Sequence, residues 1–362
     1  MMAPQPPAPC NDSTTLVDAL AEALRTGPAP WRDAALELLD ESGLAHTHVR
    51  LVGHGALARI PKQSQMKLAP ENNLRYEVAC FERATASGHT PKLLAVMPVS
   101  TSLPHGALLV EEIVGRAAGL PDDLGAIAAA LAALHRLPVP ASATRGPLQD
   151  AADPLRELLA EIETHAAFLA RADLSSDALD AIDDELGRLR RLCAESGRPP
   201  RRLVAFDAHP GNFIVDDAGR AVLVDLEKCR YSHASLDLAH ATLYTSTTWS
   251  QASAAVLSPA EVVAFYAAWA DAFGVGAACE RVWHLPLRRA MWLWSITWCA
   301  KWRVLSGAPR QPGGEDWSAE LSDRRLVAHV QERVDHYLGE PGIRLVREEF
   351  VALAPAFRGT AP

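Results

Sequence analysis

The spacing of apolar residues divides the first third of the chain into two regions. Residues 13–43 show helical spacing in STTLVDALAEALR and WRDAALELLDESG, with Ser13 or Thr14 as candidate caps, so we predict an N-terminal helical extension there. Residues 44–113 contain the short apolar runs HVRLV, ALARI, KLLAVMPV and ALLVEEI, separated by turn residues, and one helical segment, NLRYEVACFERATASG. This second pattern predicts a small sheet that carries one helix.

Residues 114–362 have mostly helical periodicity and are predicted to form a helical domain. Three long segments carry the pattern: LGAIAAALAALHRL, DPLRELLAEIETHAAFLARA and SDALDAIDDELGRLRRLCAES. One stretch, NFIVDDAGRAVLVDLE, interrupts the helices and predicts two strands joined by turn residues 216–219. The fold class is therefore α+β, with a small β-rich N-terminal part and a larger, mainly helical C-terminal part.

Composition narrows the classes of function. The chain has 362 residues, of which 49% are hydrophobic, so it is long enough for two modest domains with a substantial core. Its net charge of -9 argues against nucleic acid and anionic membranes as partners. The six cysteines form no CxxC pair, which favours reduced thiols in a cytoplasmic protein. The proline-rich residues 1–12 lack the features of a signal peptide and are predicted to be a disordered tail.

The most apolar stretch is MWLWSITWCA at residues 291–300, which is too short to span a bilayer. Trp294, Trp298 and Trp302 recur every four residues and so share one helix face. This stripe is interpreted either as core packing or as the aromatic wall of a ligand pocket.

The stretch VAFDAHPGNFIV, residues 204–215, carries the candidate chemistry. In the predicted hairpin, Asn212 at the start of the first strand lies beside Asp225 near the end of the second, next to Asp207 in the preceding loop. Carboxylate and amide oxygens are ligands that magnesium prefers. An aspartate that is not a ligand can take a proton from an attacking hydroxyl. As a structural alternative, an Asp before His-Pro-Gly-Asn is also a common turn former.

This arrangement resembles the catalytic loop of protein kinases and, more closely, that of the aminoglycoside phosphotransferase and choline kinase families. Their loop reads roughly H-G-D-x-H-x-x-N and is followed by a strand pair that ends in D-x-E or D-x-D. The corresponding residues here are 205–212 and 224–227, and the resemblance extends over residues 44–245. It implies a bilobal protein-kinase-like fold and a kinase that uses ATP, possibly GTP, and magnesium to phosphorylate a hydroxyl of a small molecule.

The resemblance also implies roles for the loop residues. Asp207 would orient and deprotonate the acceptor hydroxyl, while His209 would touch the transferred phosphate or brace the loop. Asn212 and Asp225 would hold magnesium, with Glu227 as a further carboxylate at the metal site. A hydrolase metal site is the less favoured interpretation, because no second His/Asp cluster of suitable spacing accompanies the loop.

On the nucleotide side, the resemblance implies that Arg59 contacts the phosphates and that Glu77 fixes it. Lys62 and Lys67 remain alternative phosphate contacts, and Arg59 and Glu77 could equally form a surface ion pair. The interlobe hinge that would run beside the adenine corresponds to three residues, Glu111, Glu112 and Ile113.

Further along the chain, Asp237 would steady the catalytic loop, although it could also cap a helix. His135 and His240 could be core histidines with structural roles.

Two departures from the family pattern keep a noncatalytic kinase-like binding module open as an alternative. Ala205-Phe206 replaces the His-Gly before the aspartate, so the loop must obtain its hydrogen bonds elsewhere. The glycine turn at 52–55 is followed almost at once by ALARIP, which leaves little room for a full strand before Arg59. The acceptor is not identifiable from the sequence; acidic runs at 183–184 and 348–349 would suit a cationic acceptor such as an amino sugar or choline, but such runs are usually solvated.

Overall fold

The computed structural model describes residues 13–27, 29–39, 45–306 and 324–358. The described residues divide into two compact units. The first unit takes its described residues from Met1–Arg75, Leu93–Glu112 and Arg310–Leu326. The second takes them from Tyr76–Lys92, Ile113–Pro309 and Val327–Pro362. The tail predicted at residues 1–12 lies outside the described residues.

The first unit contains the small sheet that the sequence predicted, and this sheet has five antiparallel strands. Its strands are β1 (Leu36–Leu38), β2 (His46–Leu51), β3 (Ala56–Pro61), β4 (Leu93–Met97) and β5 (Ala107–Glu111). They are ordered β1-β2-β3-β5-β4. Helix α1 (Ser13–Thr26) places Leu20 and Leu24 in one buried cluster with Val49 and Leu51 of β2. The predicted helix after β3 is α2 (Pro70–Ala84).

The second helix predicted within residues 13–43 is wrong where the structure describes it. Residues Ala29–Trp31 form a single 3-10 turn, and β1 follows, pairing Leu36 with Leu51 and Leu38 with Val49. Two further backbone hydrogen bonds, from Val52 N–H to Ala35 O and from Leu39 N–H to His48 O, flank the β1–β2 pairing at this edge of the sheet. Hydrogen bonding to a neighbouring strand here outweighs helix propensity, which is a weak local preference. Residues 40–44 lie outside the described part.

The expectation that the glycine turn leaves little room for a strand is also wrong. The turn occupies four residues, and Gly53 and Gly55 adopt positive φ values of 77° and 58°, which favour glycine. Strand β3 then runs for six residues with Arg59 as its fourth. The hairpin is tight because the turn itself is short, and the strand after it has ordinary length.

The second unit is mainly helical, as predicted. Its helices are α3 (Leu124–His135), α4 (Pro154–Ala166), α5 (Ser176–Ala194), α6 (Ala234–Thr242), α7 (Tyr244–Thr247), α8 (Pro259–Phe273), α9 (Ala277–Leu305), α10 (Arg324–Leu338, in this unit from Val327 onward) and α11 (Glu340–Phe357). Side chains cap several helix starts: Asp153 accepts from Arg156 N–H, and Ser258 and Glu261 form a capping box. Helix α9 contacts α4, α5, α6, α8 and α11, so it lies at the centre of the unit.

Short strands position the loop of interest within this unit. They are β6 (Arg116–Ala117), β7 (Arg202–Val204), β8 (Phe213–Val215), β9 (Ala221–Leu223) and β10 (Arg230–Ser232). The predicted hairpin is confirmed as β8 and β9, with Phe213 opposite Leu223. Asp216 is the turn former expected there, since its Oδ1 accepts bonds from the amides of Ala218 and Arg220. The sequence did not predict β6, β7 or β10, each of only two or three residues.

No helix in the described part of the chain is both long and apolar enough to cross a bilayer.

Candidate active site

The loop after β7 begins with two buried backbone amides that share one acceptor. Ala205 N–H and Phe206 N–H donate to the two carboxylate oxygens of Asp237, at 2.7 and 2.8 Å. Asp237 lies in α6 and is completely buried. A buried N–H without an acceptor costs about 1–3 kcal/mol, so this carboxylate fixes the start of the loop. Asp237 thus steadies the loop and does not act as a helix cap.

His135 supports Asp237 from the end of α3. Trp269 in α8 donates its Nε1–H to His135 Nδ1 at 3.1 Å, and an indole nitrogen is a donor only. The imidazole proton therefore resides on Nε2, which donates to Asp237 Oδ2 at 3.0 Å. Buried side chains from three helices hold a loop that lacks the His-Gly pair of the related families.

Phe206 adopts a left-handed backbone conformation, with φ of 60°. This conformation costs a residue other than glycine roughly 1–2 kcal/mol. The buried ring packs edge to face against Trp294, with 5.4 Å between centroids, and the Arg230 guanidinium lies 3.6 Å from its centroid on one face. Glu161 accepts one bond from Arg230 and one from Trp294 Nε1, each at 3.0 Å. The tryptophan stripe is therefore divided: Trp302 is core at 3% exposure, whereas Trp294 lines the loop.

Asp207 follows Phe206 and forms an ion pair that the sequence did not suggest. Lys228 Nζ donates to Asp207 Oδ2 at 2.6 Å, and both side chains are 15% exposed. His240 Nδ1 lies 3.7 Å from Asp207 Oδ1, beyond hydrogen-bond distance. The Lys228 ammonium is also 6.0 Å from the centroid of the Trp294 ring. The carboxylate thus lies between a cation and an imidazole, and the cation in turn faces an aromatic ring.

The ion pair sets the charge state of Asp207. Burial alone would raise the pKa of this carboxyl, but Lys228, helped by His209 and His240, lowers it well below its ordinary value. Burial would lower the pKa of Lys228, yet Asp207 and Glu227 raise it instead. Burial lowers the pKa of His240 to about 4, against the opposing effect of Asp207. At neutral pH the site therefore holds an anionic Asp207, a cationic Lys228 and a neutral His240.

Asn212 connects the loop to the hairpin. Its side-chain Nδ2 donates to the backbone oxygen of Asp207 at 2.9 Å, and its own backbone oxygen accepts from Val224 N–H at 2.9 Å. The pairing places Asn212 opposite Val224, one residue before Asp225. The side-chain bond thus brings Asn212 to Asp207, and the backbone bond brings Asn212 to the residue before Asp225.

The donor set fits a hard divalent cation. The side-chain nitrogen of Asn212 is engaged with Asp207, which leaves the amide oxygen to face a metal ion. Asp225 is half-buried and Glu227 is 6% exposed, so two further carboxylates are held in partly dry surroundings. These oxygens are of the kind that magnesium prefers, and Asn212, Asp225 and Glu227 stay its predicted ligands.

His209 lies two residues after Asp207 and is half-buried. Burial lowers its pKa, whereas the charge of Asp207 opposes that shift. Among the described residues, no hydrogen-bond partner meets its Nδ1, and its ring lies 6.1 Å from that of His240. An imidazole that is neutral and near the carboxylate is available to a ligand, so phosphate contact and loop bracing both stay as predictions.

The residues predicted to contact nucleotide are divided between the two units. Arg59 lies in β3, is 4% exposed and pairs in register with His48 and Leu108. Glu77 lies in the part of α2 that belongs to the second unit and is 2% exposed. The alternative cation Lys67 is exposed and has a positive φ of 55°.

Two of the three predicted hinge residues, Glu111 and Glu112, end the Leu93–Glu112 segment of the first unit, and Ile113 begins the next segment, which belongs to the second unit. The Glu112 side chain pairs with Arg50 Nε at 2.6 Å, and its amide donates to Gly55 O at 2.9 Å. Glu112 is therefore engaged through both its side chain and its amide.

Sequence reasoning missed three residues at the site, Lys228, Arg230 and Glu161, and considered His240 only as a core histidine. Lys228 directly follows Glu227, and His240 is three residues after Asp237 on one helix, where side chains share a face. Both could have been found from their neighbours. Glu161 and Arg230 are 69 residues apart, and no sequence spacing indicates their pairing.

An antiparallel N-terminal sheet, a helical C-terminal part and this loop and hairpin define a protein-kinase-like fold. Solved structures agree with that class. A choline/ethanolamine kinase family protein from Mesorhizobium loti is similar with a TM-score of 0.62 and 17% identity, covering 95% of this chain and 99% of that one. An ethanolamine kinase from Plasmodium vivax has a TM-score of 0.60 and 13% identity, and the match covers 94% of this chain and 91% of that one. The GDP complex of aminoglycoside 2'-phosphotransferase-IIIa has a TM-score of 0.56 and 15% identity, and the match covers 88% of this chain and 97% of that one.

The sequence itself identifies the family. Residues 38–284, more than half of the chain, match the model of the phosphotransferase enzyme family, and the chain belongs to that family. No curated protein matches the sequence. Family membership supports a small-molecule phosphotransferase.

Proposed function

We propose that this protein is a kinase that transfers the terminal phosphoryl group of ATP, or of GTP, to a hydroxyl of a small molecule in the presence of magnesium. One observation carries the proposal: the carboxylate of Asp207 is fixed beside Lys228, and the side-chain amide of Asn212 is bound to the backbone of the same residue. Phosphoryl transfer depends mainly on positioning and charge neutralisation, and this set of groups supplies both.

Asp207 would accept a hydrogen bond from the acceptor hydroxyl and take its proton as the oxygen attacks phosphorus. Its anionic state at neutral pH suits that role, and Lys228 would keep the carboxylate oriented and offset negative charge at the reacting phosphate. His209 would contact the phosphate or brace the loop. Magnesium held by Asn212, Asp225 and Glu227 would neutralise charge on the nucleotide phosphates when bound.

The nucleotide would use the contacts that the resemblance to the kinase families implies. Arg59, supported by Glu77, would contact the phosphates, and Glu111, Glu112 and Ile113 would run beside the base. Because Glu112 N–H already binds Gly55, the base would depend on other backbone groups of this segment.

The first test is calorimetric titration of the protein with ATP and with GTP, each with and without magnesium. We expect binding that requires magnesium and that Asp225→Ala weakens at least tenfold. Asp217→Ala, which changes an exposed hairpin-turn carboxylate, is the matched control and should bind like the parent. Binding of neither nucleotide at any magnesium concentration would count against the kinase and in favour of a noncatalytic binding module.

The second test is phosphoryl transfer. Choline, ethanolamine and aminoglycosides are the first acceptors to screen, because kinases of these compounds share the fold. Asp207→Asn should reduce transfer about 100-fold or more, the usual contribution of a general base, while nucleotide affinity changes little. Equal rates for this variant and the parent would remove Asp207 from its assigned role.

A further inference from the structure

The loop that carries Asp207 contains an unusual residue for its backbone conformation. Phe206 has a φ of 60°, in the left-handed region that favours glycine, and the related families have glycine at this place in their His-Gly-Asp loop. A residue other than glycine persists in such a conformation only where the surroundings hold it. Contacts outside the loop must therefore keep Phe206, and with it Asp207, in place.

The strand pairing brings Arg230 to this residue. Strand β10 pairs with β7 so that Arg230 lies opposite Val204, which ends β7 and precedes Phe206 by two residues. The guanidinium is 3.6 Å from the ring centroid, and Arg230 and Phe206 are 5% and 1% exposed. A cation over an aromatic face is strongest where water is excluded, as it is here.

Two further side chains fix this stack. Glu161 in α4 accepts from Arg230 on one oxygen and from Trp294 on the other, and the Trp294 ring meets the edge of Phe206 at an interplanar angle of 87°. Phe206, Arg230, Glu161 and Trp294 therefore form a closed ring in which each side chain contacts the next. A second route to Asp207 runs through Lys228, because Arg230 Nε donates to its backbone oxygen at 3.5 Å and the Trp294 ring centroid lies 6.0 Å from its ammonium. The route through Phe206 is therefore the part of the effect that depends on the side chain at position 206.

We infer that Arg230 is a positioning residue that holds Phe206 in its left-handed conformation and so fixes the direction of the Asp207 carboxylate. The arginine, with Glu161 and Trp294, provides by packing what a glycine provides by conformational freedom. The consequence for phosphoryl transfer rests on the proposed function; the effect on the loop does not.

The test uses the full chain and four proteins: the parent, Arg230→Met combined with Glu161→Gln, Phe206→Gly, and all three substitutions together. Replacing Arg230 and Glu161 as a pair avoids leaving the half-buried Glu161 carboxylate without its cation, which would destabilise the protein for an unrelated reason. Hydrogen exchange of the amides at 205–209 is measured by mass spectrometry without nucleotide or acceptor. We expect the paired substitution to accelerate this exchange about tenfold when Phe206 is present and by a much smaller factor in the Phe206→Gly background.

Equal acceleration in both backgrounds, or none in either, would overturn the inference, because a purely structural ion pair would act independently of residue 206. Exchange in α5 and α11 serves as the internal control for global stability. With an acceptor found by screening, the paired substitution should lower kcat about tenfold and leave KM for ATP unchanged, and Phe206→Gly should reduce that difference. A parent without any transfer activity would refute the proposed function while the exchange result still decides the role of Arg230.

Discussion

The buried carboxylate of Asp237 allows a prediction whose size follows from its contacts. Asp237→Ala removes the acceptor of three buried donors: the amides of Ala205 and Phe206 and the Nε2–H of His135. Each unsatisfied buried donor costs about 1–3 kcal/mol, and some relaxation and water entry reduce the sum. Three such donors would together cost about 3–9 kcal/mol, and with that reduction we expect a loss of about 3–5 kcal/mol. That loss is a large part of a typical stability of about 5–15 kcal/mol.

Urea unfolding followed by tryptophan fluorescence is the appropriate assay, because seven of the nine tryptophans lie between residues 249 and 302 and report on the second unit. With a slope of about 2 kcal/mol per molar urea, the midpoint should fall by about 1.5–2.5 M. Asp271→Ala, which changes an exposed carboxylate on α8, should stay within about 0.5 kcal/mol of the parent. An Asp237→Ala variant within 1 kcal/mol of the parent, well below the expected loss of about 3–5 kcal/mol, would refute the argument that these donors depend on Asp237.

Three other predictions concern the loop and its surroundings. Lys228→Met should lower kcat about 100-fold, because removal of one preorganised donor has an effect of that size. Lys228→Arg keeps the positive charge and should retain more activity. An unchanged kcat for Lys228→Met in steady-state kinetics would contradict the role of the ion pair. Gly211→Ala should lower the melting temperature, because the added Cβ would lie 2.9 Å from the Cβ of Ser250. Adding Ser250→Gly should restore part of the loss. A Gly211→Ala protein with the melting temperature of the parent would show that the structure relieves this contact without cost. Burial lowers the folded-state pKa of three histidines, His233, His240 and His284. The unfolded chain therefore binds protons first, and stability should fall as pH drops from about 6.5 towards 4, by about 1.4 kcal/mol per pH unit for each histidine. A urea midpoint that stays constant between pH 7 and 5.5 would refute this.

The elements that could be predicted from the sequence are those with a local signal. Helical periodicity over 12 or more residues indicated α3, α4 and α5, and alternating apolar runs bounded by turns indicated β2 to β5 and the hairpin of β8 and β9. Where the local signal was weak or misleading, prediction failed: the LEL run of β1 looks helical by spacing, and only pairing with β2 makes it a strand. The short β7 and β10 depend on each other in the same way.

The sequence by itself determined the order of Asp207, Asn212, Asp225 and Glu227 along the chain, because loop and hairpin chemistry is encoded within about 20 contiguous residues. Only the tertiary structure decided which distant side chains surround Asp207. Lys228 reaches it across 21 residues and Arg230 meets Glu161 across 69, and Asp237 lies about 30 residues beyond the amides it accepts. Such contacts are set by helix packing and strand register, which depend on the whole core and leave no periodic trace near the residues themselves.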